Sequence, residues 1–261
     1  MIYKNGKFIN EGLVDETLLT DGITIYEVIR IFENSPVFIS DNIKRLKNSI
    51  EKSGIEIPDG KAQLKKVISL FLEKSPVYEG NLKYLLHISP DGNSDEYLEQ
   101  IPHSYPQREQ YENGVPVSIL RAERKNPEIK YLNPQLRKEA DDVIVRNKLY
   151  EVILVSNNGF VTEGSRSNIF FIKDNELYTA PDNQVLPGTA RTRVIGLAER
   201  LGIKVHRTTI RVEELARFDS AFITGTSPLV LPISNIDDIS YDHRNSTLTR
   251  IMTEYFKMIK E

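Results

Sequence analysis

The feature that most restricts the fold of this sequence is a repeated change of hydrophobic period along the chain. Two-residue alternation typical of strands gives way to three- and four-residue spacing typical of helices, and back again, several times. Ile2-Tyr3 and Lys7-Phe8-Ile9 flank Asn5-Gly6, a favoured hairpin turn. Ile25 to Phe32 and Val37-Phe38-Ile39 predict a second strand pair around Glu33-Asn34-Ser35. Ser40 or Asp41 stands where a helix cap is needed, Ile43, Leu46 and Ile50 follow at helical steps, and Gly54 stops the helix. Lys61 to Lys74 predicts another helix, and Leu82 to Ile88 a strand.

Pro102 to Gln110 is polar and carries two prolines, which suits a link between domains. The expected division is a smaller domain with its linker over 1–110 and a larger one over 111–261. In the larger part, Val115 to Leu120, Val152 to Val155, Ile169 to Ile172, Leu177 to Thr179 and Phe222-Ile223 predict strands. Asn133-Pro134 opens one helix, with asparagine as cap and proline in the first turn. A second runs from about Arg191 to Leu201 before Gly202, and a third, amphipathic, from Ser246 to Lys260. Mixed strands and helices of this kind predict an α+β fold of two domains, with mixed sheets and flanking helices.

The 261 residues carry a net charge of −3 with both signs interspersed, which gives no electrostatic case for nucleic acid or an anionic membrane. There is no cysteine for disulfides or thiolate metal sites, and no apolar run approaches the ~20 residues of a membrane helix. The first residues, Met1 to Gly6, lack the apolar run of a signal peptide. A soluble cytoplasmic protein is therefore the expectation. No P-loop, G-x-G-x-x-G after a strand, or G-x-S-x-G elbow occurs, and His87, His103, His206 and His243 are scattered.

Three segments carry chemistry. In Ile129-Lys130-Tyr131-Leu132-Asn133-Pro134 a lysine sits among apolar neighbours just before a helix. In Val161-Thr162-Glu163-Gly164-Ser165-Arg166-Ser167-Asn168 an acid, a glycine and small hydroxyl residues lie between two strands. In Leu186-Pro187-Gly188-Thr189-Ala190-Arg191 a tight turn feeds a helix start, whose free N–H groups suit an anion. A lysine able to lose its proton, an acid for a pyridine nitrogen and an anion site together fit one cofactor, pyridoxal 5′-phosphate.

The order and wording of these segments resemble the class IV aminotransferases, the fold-type IV pyridoxal 5′-phosphate enzymes. That family includes branched-chain aminotransferases, D-amino acid aminotransferases and aminodeoxychorismate lyases. The resemblance spans nearly the whole chain and is strongest from Lys130 to Thr226. It implies that Lys130 joins the cofactor aldehyde and that Glu163 is the acid at the pyridine nitrogen. It implies that Arg45, Thr189, Ala190 and Thr226 hold the phosphate, and that Ser165 and Ser167 are further cofactor contacts. Tyr26, in Ile25-Tyr26-Glu27-Val28, matches an aromatic lining the substrate pocket. Most of these also have a plainer reading: Lys130 as a surface charge, and Glu163, Thr226, Ser165 and Ser167 as turn residues. Arg45 shares its helix with Lys44, Lys47 and Lys52 and suits a solvated face. Tyr26 has strand spacing that also suits plain core.

The chain departs from the family in several places. Thr24-Ile25 replaces the Gly-Asp-Gly that commonly precedes the Tyr26 segment, and Asn42 stands where histidine is common. Gln135 stands where branched-chain enzymes often have a tyrosine, which puts a leucine-type substrate in doubt. The segment His87 to Gly92 lacks the arginine of D-amino acid enzymes, and Val28 replaces the catalytic threonine of the lyases. The resemblance implies a homodimer without metal that moves an amino group between an amino acid, branched-chain type among the candidates, and a 2-oxo acid. The alternatives are an aminodeoxychorismate lyase, releasing pyruvate and 4-aminobenzoate, and a non-catalytic relative.

Overall fold

The computed structural model describes residues 1–10, 12–19, 21–58 and 60–260. The chain divides into two compact units, one of Met1–Ser104 with Ile129–Pro134, the other of Tyr105–Glu128 with Gln135–Glu261.

The first unit is a six-stranded sheet with two helices. Its strands are β1 (Ile2–Lys4), β2 (Lys7–Ile9), β3 (Ile23–Phe32), β4 (Ser35–Pro36), β5 (Glu79–Ile88) and β6 (Ser94–Ile101), in the order β2-β1-β6-β5-β3-β4. The helices are α1 (Ile39–Ser53) and α2 (Leu64–Lys74). The first hairpin forms as expected, with Asn5 at φ 47° and Gly6 at φ 86°, the left-handed conformations that an Asn-Gly turn supplies cheaply. The core gathers Ile25, Ile29 and Ile31 of β3 with Leu46 of α1 and with Leu64, Val67, Ile68 and Phe71 of α2.

Two details differ from expectation. Val37-Phe38-Ile39 does not continue a strand, because Phe38 adopts φ 55° and becomes the residue before α1. The helix therefore starts before Ser40 and Asp41, and neither side chain caps it; the Asp41 amide bonds back to the Phe38 carbonyl. Strand β6 was not foreseen, since Ser-Asp-Glu-Tyr-Leu-Glu-Gln-Ile shows no apolar run. Two of its acids, Glu96 and Glu99, are buried with partners instead. Glu96 accepts the Tyr84 hydroxyl at 2.6 Å and the Ala62 amide at 3.0 Å, and Glu99 accepts the Val14 amide at 2.7 Å.

The second unit contains α3 (Arg108–Asn113), β7 (Val115–Arg121), α4 (Pro134–Asn147), β8 (Glu151–Val155), β9 (Phe160–Gly164), β10 (Asn168–Lys173) and β11 (Glu176–Thr179). It continues with α5 (Thr189–Arg200), β12 (Val205–Arg207), β13 (Ile210–Arg211), β14 (Ser220–Gly225), β15 (Leu229–Ile236), β16 (Ile239–Ser240) and α6 (Ser246–Lys260). Ten strands form one mixed sheet in the order β12-β11-β10-β14-β15-β7-β8-β9-β13, with β16 on β15. Strand β7 runs parallel to both β8 and β15, so the sheet is mixed at its centre. Every residue of β8 is buried, as an interior strand requires.

Helix α3 lies in the stretch read as linker, and a division at residue 110 would cut it. Tyr111 fixes it to the second unit by donating to the Pro228 carbonyl at 3.2 Å and by an edge contact with Phe256 at 5.4 Å. No described helix is long and apolar enough to cross a membrane.

Candidate active site

Lys130 belongs to the first unit, although its place in the sequence suggested the larger one. The reason is backbone pairing with β3. The Tyr26 amide donates to the Lys130 carbonyl at 3.1 Å, the Leu132 amide to the Thr24 carbonyl at 2.8 Å, and Ile25 and Tyr131 form a bridge. The Lys130 amide donates to Ser49 Oγ of α1 at 3.3 Å. Along β3 the side chains alternate, Ile25, Glu27, Ile29 and Ile31 buried and Tyr26, Val28 and Arg30 half-buried on the other face. Lys130 Nζ lies 4.4 Å from the centre of the Tyr26 ring, so Tyr26 is more than plain core. The neighbouring Thr24 hydroxyl donates to the Leu19 carbonyl and lies 2.9 Å from His87 Nδ1.

Arg45 is 7% exposed, not on a solvated face. Glu27, fully buried, accepts Arg45 Nε at 2.8 Å and Nη2 at 2.6 Å, and also Asn42 Nδ2 at 2.8 Å. Burial, the largest single influence, pulls the guanidinium pKa down, but the charge and hydrogen bonds of Glu27 together with Tyr26 and Asp41 outweigh it, and the net shift is upward. The fork geometry leaves Nη1 outside this pair. A carboxylate in the apolar register Ile25-Glu27-Ile29-Ile31 was the sequence signal for this pair, and it was not read. Glu27→Ala leaves the Arg45 charge buried alone. We expect a loss of about 3–5 kcal/mol of folding stability, measured by urea unfolding. A loss below about 1 kcal/mol would show that water replaces the carboxylate freely.

In the second unit the acid and the helix-start turn meet. Glu163, on β9 and 2% exposed, accepts the Leu186 amide at 3.0 Å and Asn168 Nδ2 at 3.2 Å through Oε2. Arg124 Nη1 lies 3.4 Å from Oε1. Asn168 also donates to the Leu186 carbonyl at 3.0 Å, so it ties β10 to the Leu186-Pro187-Gly188 turn. Gly188 has no room for a side chain, since a Cβ would stand 2.1 Å from Asn168 Oδ1. Helix α5 then begins at Thr189 with no side-chain cap, which leaves its first-turn amides, those of Thr189 and Ala190 included, without intrahelical acceptors. Opposite Asn168 in the sheet is Thr224; β14 ends at Gly225, and Thr226 follows it.

Ser165 and Ser167, expected to touch the cofactor, spend their hydroxyl protons on Glu151. This buried acid at the head of β8 also accepts the Arg166 and Val152 amides, at 3.1 and 2.9 Å. A hydroxyl has one proton to give, so both serines shape the loop behind Glu163 through Glu151. Arg137 donates to Ser165 Oγ at 2.8 Å. Glu151, Asn168 and Arg124 were not singled out from sequence. An acid opening the all-apolar run Val152 to Val155 was the available signal for the first.

The donor set suits pyridoxal 5′-phosphate. A buried carboxylate, uncapped helix amides and a threonine at a strand end match a pyridine nitrogen and a phosphate. The Thr224 hydroxyl, buried and without a protein partner among the described residues, is a further polar atom facing no acceptor of its own.

Comparison with known proteins agrees. Residues 24–236 match the family described as Amino-transferase class IV. The chain is 28% identical to a D-alanine aminotransferase from Bacillus licheniformis, over 83% of this chain and 80% of that one. It is 25% identical to an aminodeoxychorismate lyase from Bacillus subtilis, over 98% and 94%. Its fold superposes on a branched-chain aminotransferase from Thermoproteus uzoniensis with a TM-score of 0.86 at 23% identity, covering 99% of this chain and 94% of that one. With lysine, acid and phosphate segments in family order and the match extending over most of its length, the chain belongs to the class IV aminotransferases, which work through pyridoxal 5′-phosphate.

Proposed function

We propose that Lys130 is the residue that carries the cofactor and moves the substrate proton, in a transaminase rather than a lyase. The observation that carries this is the surroundings of Lys130 Nζ, which faces the Tyr26 ring on the side of β3 that also bears Val28. Val28 has no hydroxyl to relay a proton, and the nearby Thr24 hydroxyl already donates to Leu19. Lys130 would then be the base that takes the substrate proton and gives it back.

When bound, pyridoxal 5′-phosphate supplies an aldehyde that condenses with amines and a ring that accepts the electron pair left on the substrate carbon. Glu163, its orientation set by Leu186 N–H and Asn168, would keep a proton at the pyridine nitrogen. The Thr189 and Ala190 amides, Thr226 and Arg45 would be the groups that hold the phosphate, as the family resemblance implies. Ser165 and Ser167 support this arrangement through Glu151. Tyr26 orients the substrate against Lys130. The family resemblance supports a cytoplasmic homodimer.

The test is one preparation assayed for both reactions. Single-turnover spectra should show an amino acid converting the bound cofactor to its amine form and a 2-oxo acid reversing it. Screening L- and D-amino acids against 2-oxoglutarate and pyruvate identifies the donor. Rapid pyruvate release from aminodeoxychorismate with negligible transamination would replace this reading with the lyase. A bound cofactor with neither reaction would indicate the non-catalytic relative.

A further inference from the structure

Lys83 lies on the same face of the small sheet as Tyr26. In register it stands directly across from Val28 on β3 and from Glu99 on β6. Its side chain is 11% exposed, and Nζ lies 5.1 Å from the centre of the Tyr26 ring, the ring that Lys130 Nζ approaches to 4.4 Å. Two lysine nitrogens therefore converge on one aromatic ring.

The partner of Lys83 is equally informative. Glu99 would suffice to balance a lysine of purely structural use, being directly opposite and 2% exposed. Burial pushes the Glu99 carboxyl pKa up, while the Val14 amide, its hydrogen-bond donor, and the charge of Lys83 act the other way, so Glu99 already offsets part of the Lys83 charge. Lys83 instead pairs with Glu16, in the short helical turn Glu16–Leu19, and the Glu16 side chain is 34% exposed. A carboxylate held at a partly solvated rim is a weak partner. Exchanging it for another carboxylate leaves the charge balance at Lys83 unchanged and adds no desolvation of the ammonium.

We propose that Lys83 binds the α-carboxylate of the amino acid and 2-oxo acid substrates, and that Glu16 occupies Lys83 until substrate displaces it. The assignment rests on the transaminase reading of Lys130: the substrate carbon attached to the carboxylate is the one beside Lys130, and Tyr26 is shared by both lysines. It makes the chain discriminate amino acids from amines that lack the carboxylate.

The test uses holoenzyme and 4-methylpentanoate, which has a carboxylate and no amine to react. Calorimetry of wild type, Lys83→Gln and Glu16→Gln gives its dissociation constant. Lys83→Gln should weaken binding about tenfold or more, as loss of a charge-assisted hydrogen bond does. Glu16→Gln should tighten it about threefold, since an exposed ion pair of modest strength no longer competes. Misfolding cannot produce that gain, so Glu16→Gln decides the matter even where Lys83→Gln is unstable. In turnover, Lys83→Gln should lower kcat/KM for leucine about tenfold more than for 3-methylbutylamine, which has no carboxylate to lose. Unaltered 4-methylpentanoate binding in Lys83→Gln, or unaltered or weakened binding in Glu16→Gln, would overturn the proposal. Failure of wild type to transaminate any amino acid would count against the transaminase reading instead, and the calorimetry still judges Lys83.

Discussion

Lys130→Ala should bind pyridoxal 5′-phosphate without a covalent link and lose about 10²–10⁴-fold in turnover, the range a positioned proton-transfer group supplies. The backbone of residue 130 is held by the Tyr26 amide and by Ser49, neither of which needs the lysine side chain. The variant should therefore fold, and small primary amines added to the assay should restore part of the rate. Borohydride reduction and peptide mapping give a second readout, an adduct on Lys130 in wild type and none in the variant. An adduct on Lys83 or any other lysine, or residual turnover above about a hundredth of wild type, would remove Lys130 from its role.

Glu163→Gln should keep cofactor affinity within a few-fold and lose about 10²–10³ in turnover, as when a single electrostatic stabiliser is removed. The side-chain carbonyl of glutamine can still accept from Leu186 N–H and Asn168, so the Leu186-Pro187-Gly188 turn and the start of α5 stay in place. What is lost is the negative charge that keeps a proton on the pyridine nitrogen, and it matters most when electrons move into the ring. The comparison is the cofactor dissociation constant against the rate of the amino-acid half-reaction. Weaker cofactor binding with an unchanged half-reaction rate would show that Glu163 acts on binding alone, and no loss in either would exclude it.

Period and turn chemistry made most elements marked by apolar residues legible, but not β9 or the buried strand β15, whose apolar run is broken by Pro232. The Asn5-Gly6 hairpin, the helix after Asn133 and the terminal helix from Ser246 to Lys260 all lie where the spacing puts them. Elements built on buried polar groups escaped. Strand β6 hides Glu96 and Glu99 among hydrogen-bond donors, and α3 is a short polar helix held chiefly by Tyr111. At the site, the ordered segments pointed to Lys130, Glu163 and the start of α5. Their supports were illegible because they come from distant sequence: Glu151 lies 14 residues before the serine it first grips, and Lys83 reaches Glu16 across 67. Pairings of that range are set by strand register, which single-sequence periodicity does not reveal.

The attachment of Lys130 to β3 has a consequence for how substrate preference can change over evolutionary time. The two hydrogen bonds and the bridge are made by main chain alone, so they are indifferent to which side chains stand at positions 24, 26 and 28. Replacements at those three sites can alter what the enzyme accepts without displacing the lysine that does its chemistry. Reactivity and selectivity are thus written in separate alphabets, backbone for one and side chain for the other, on a single strand.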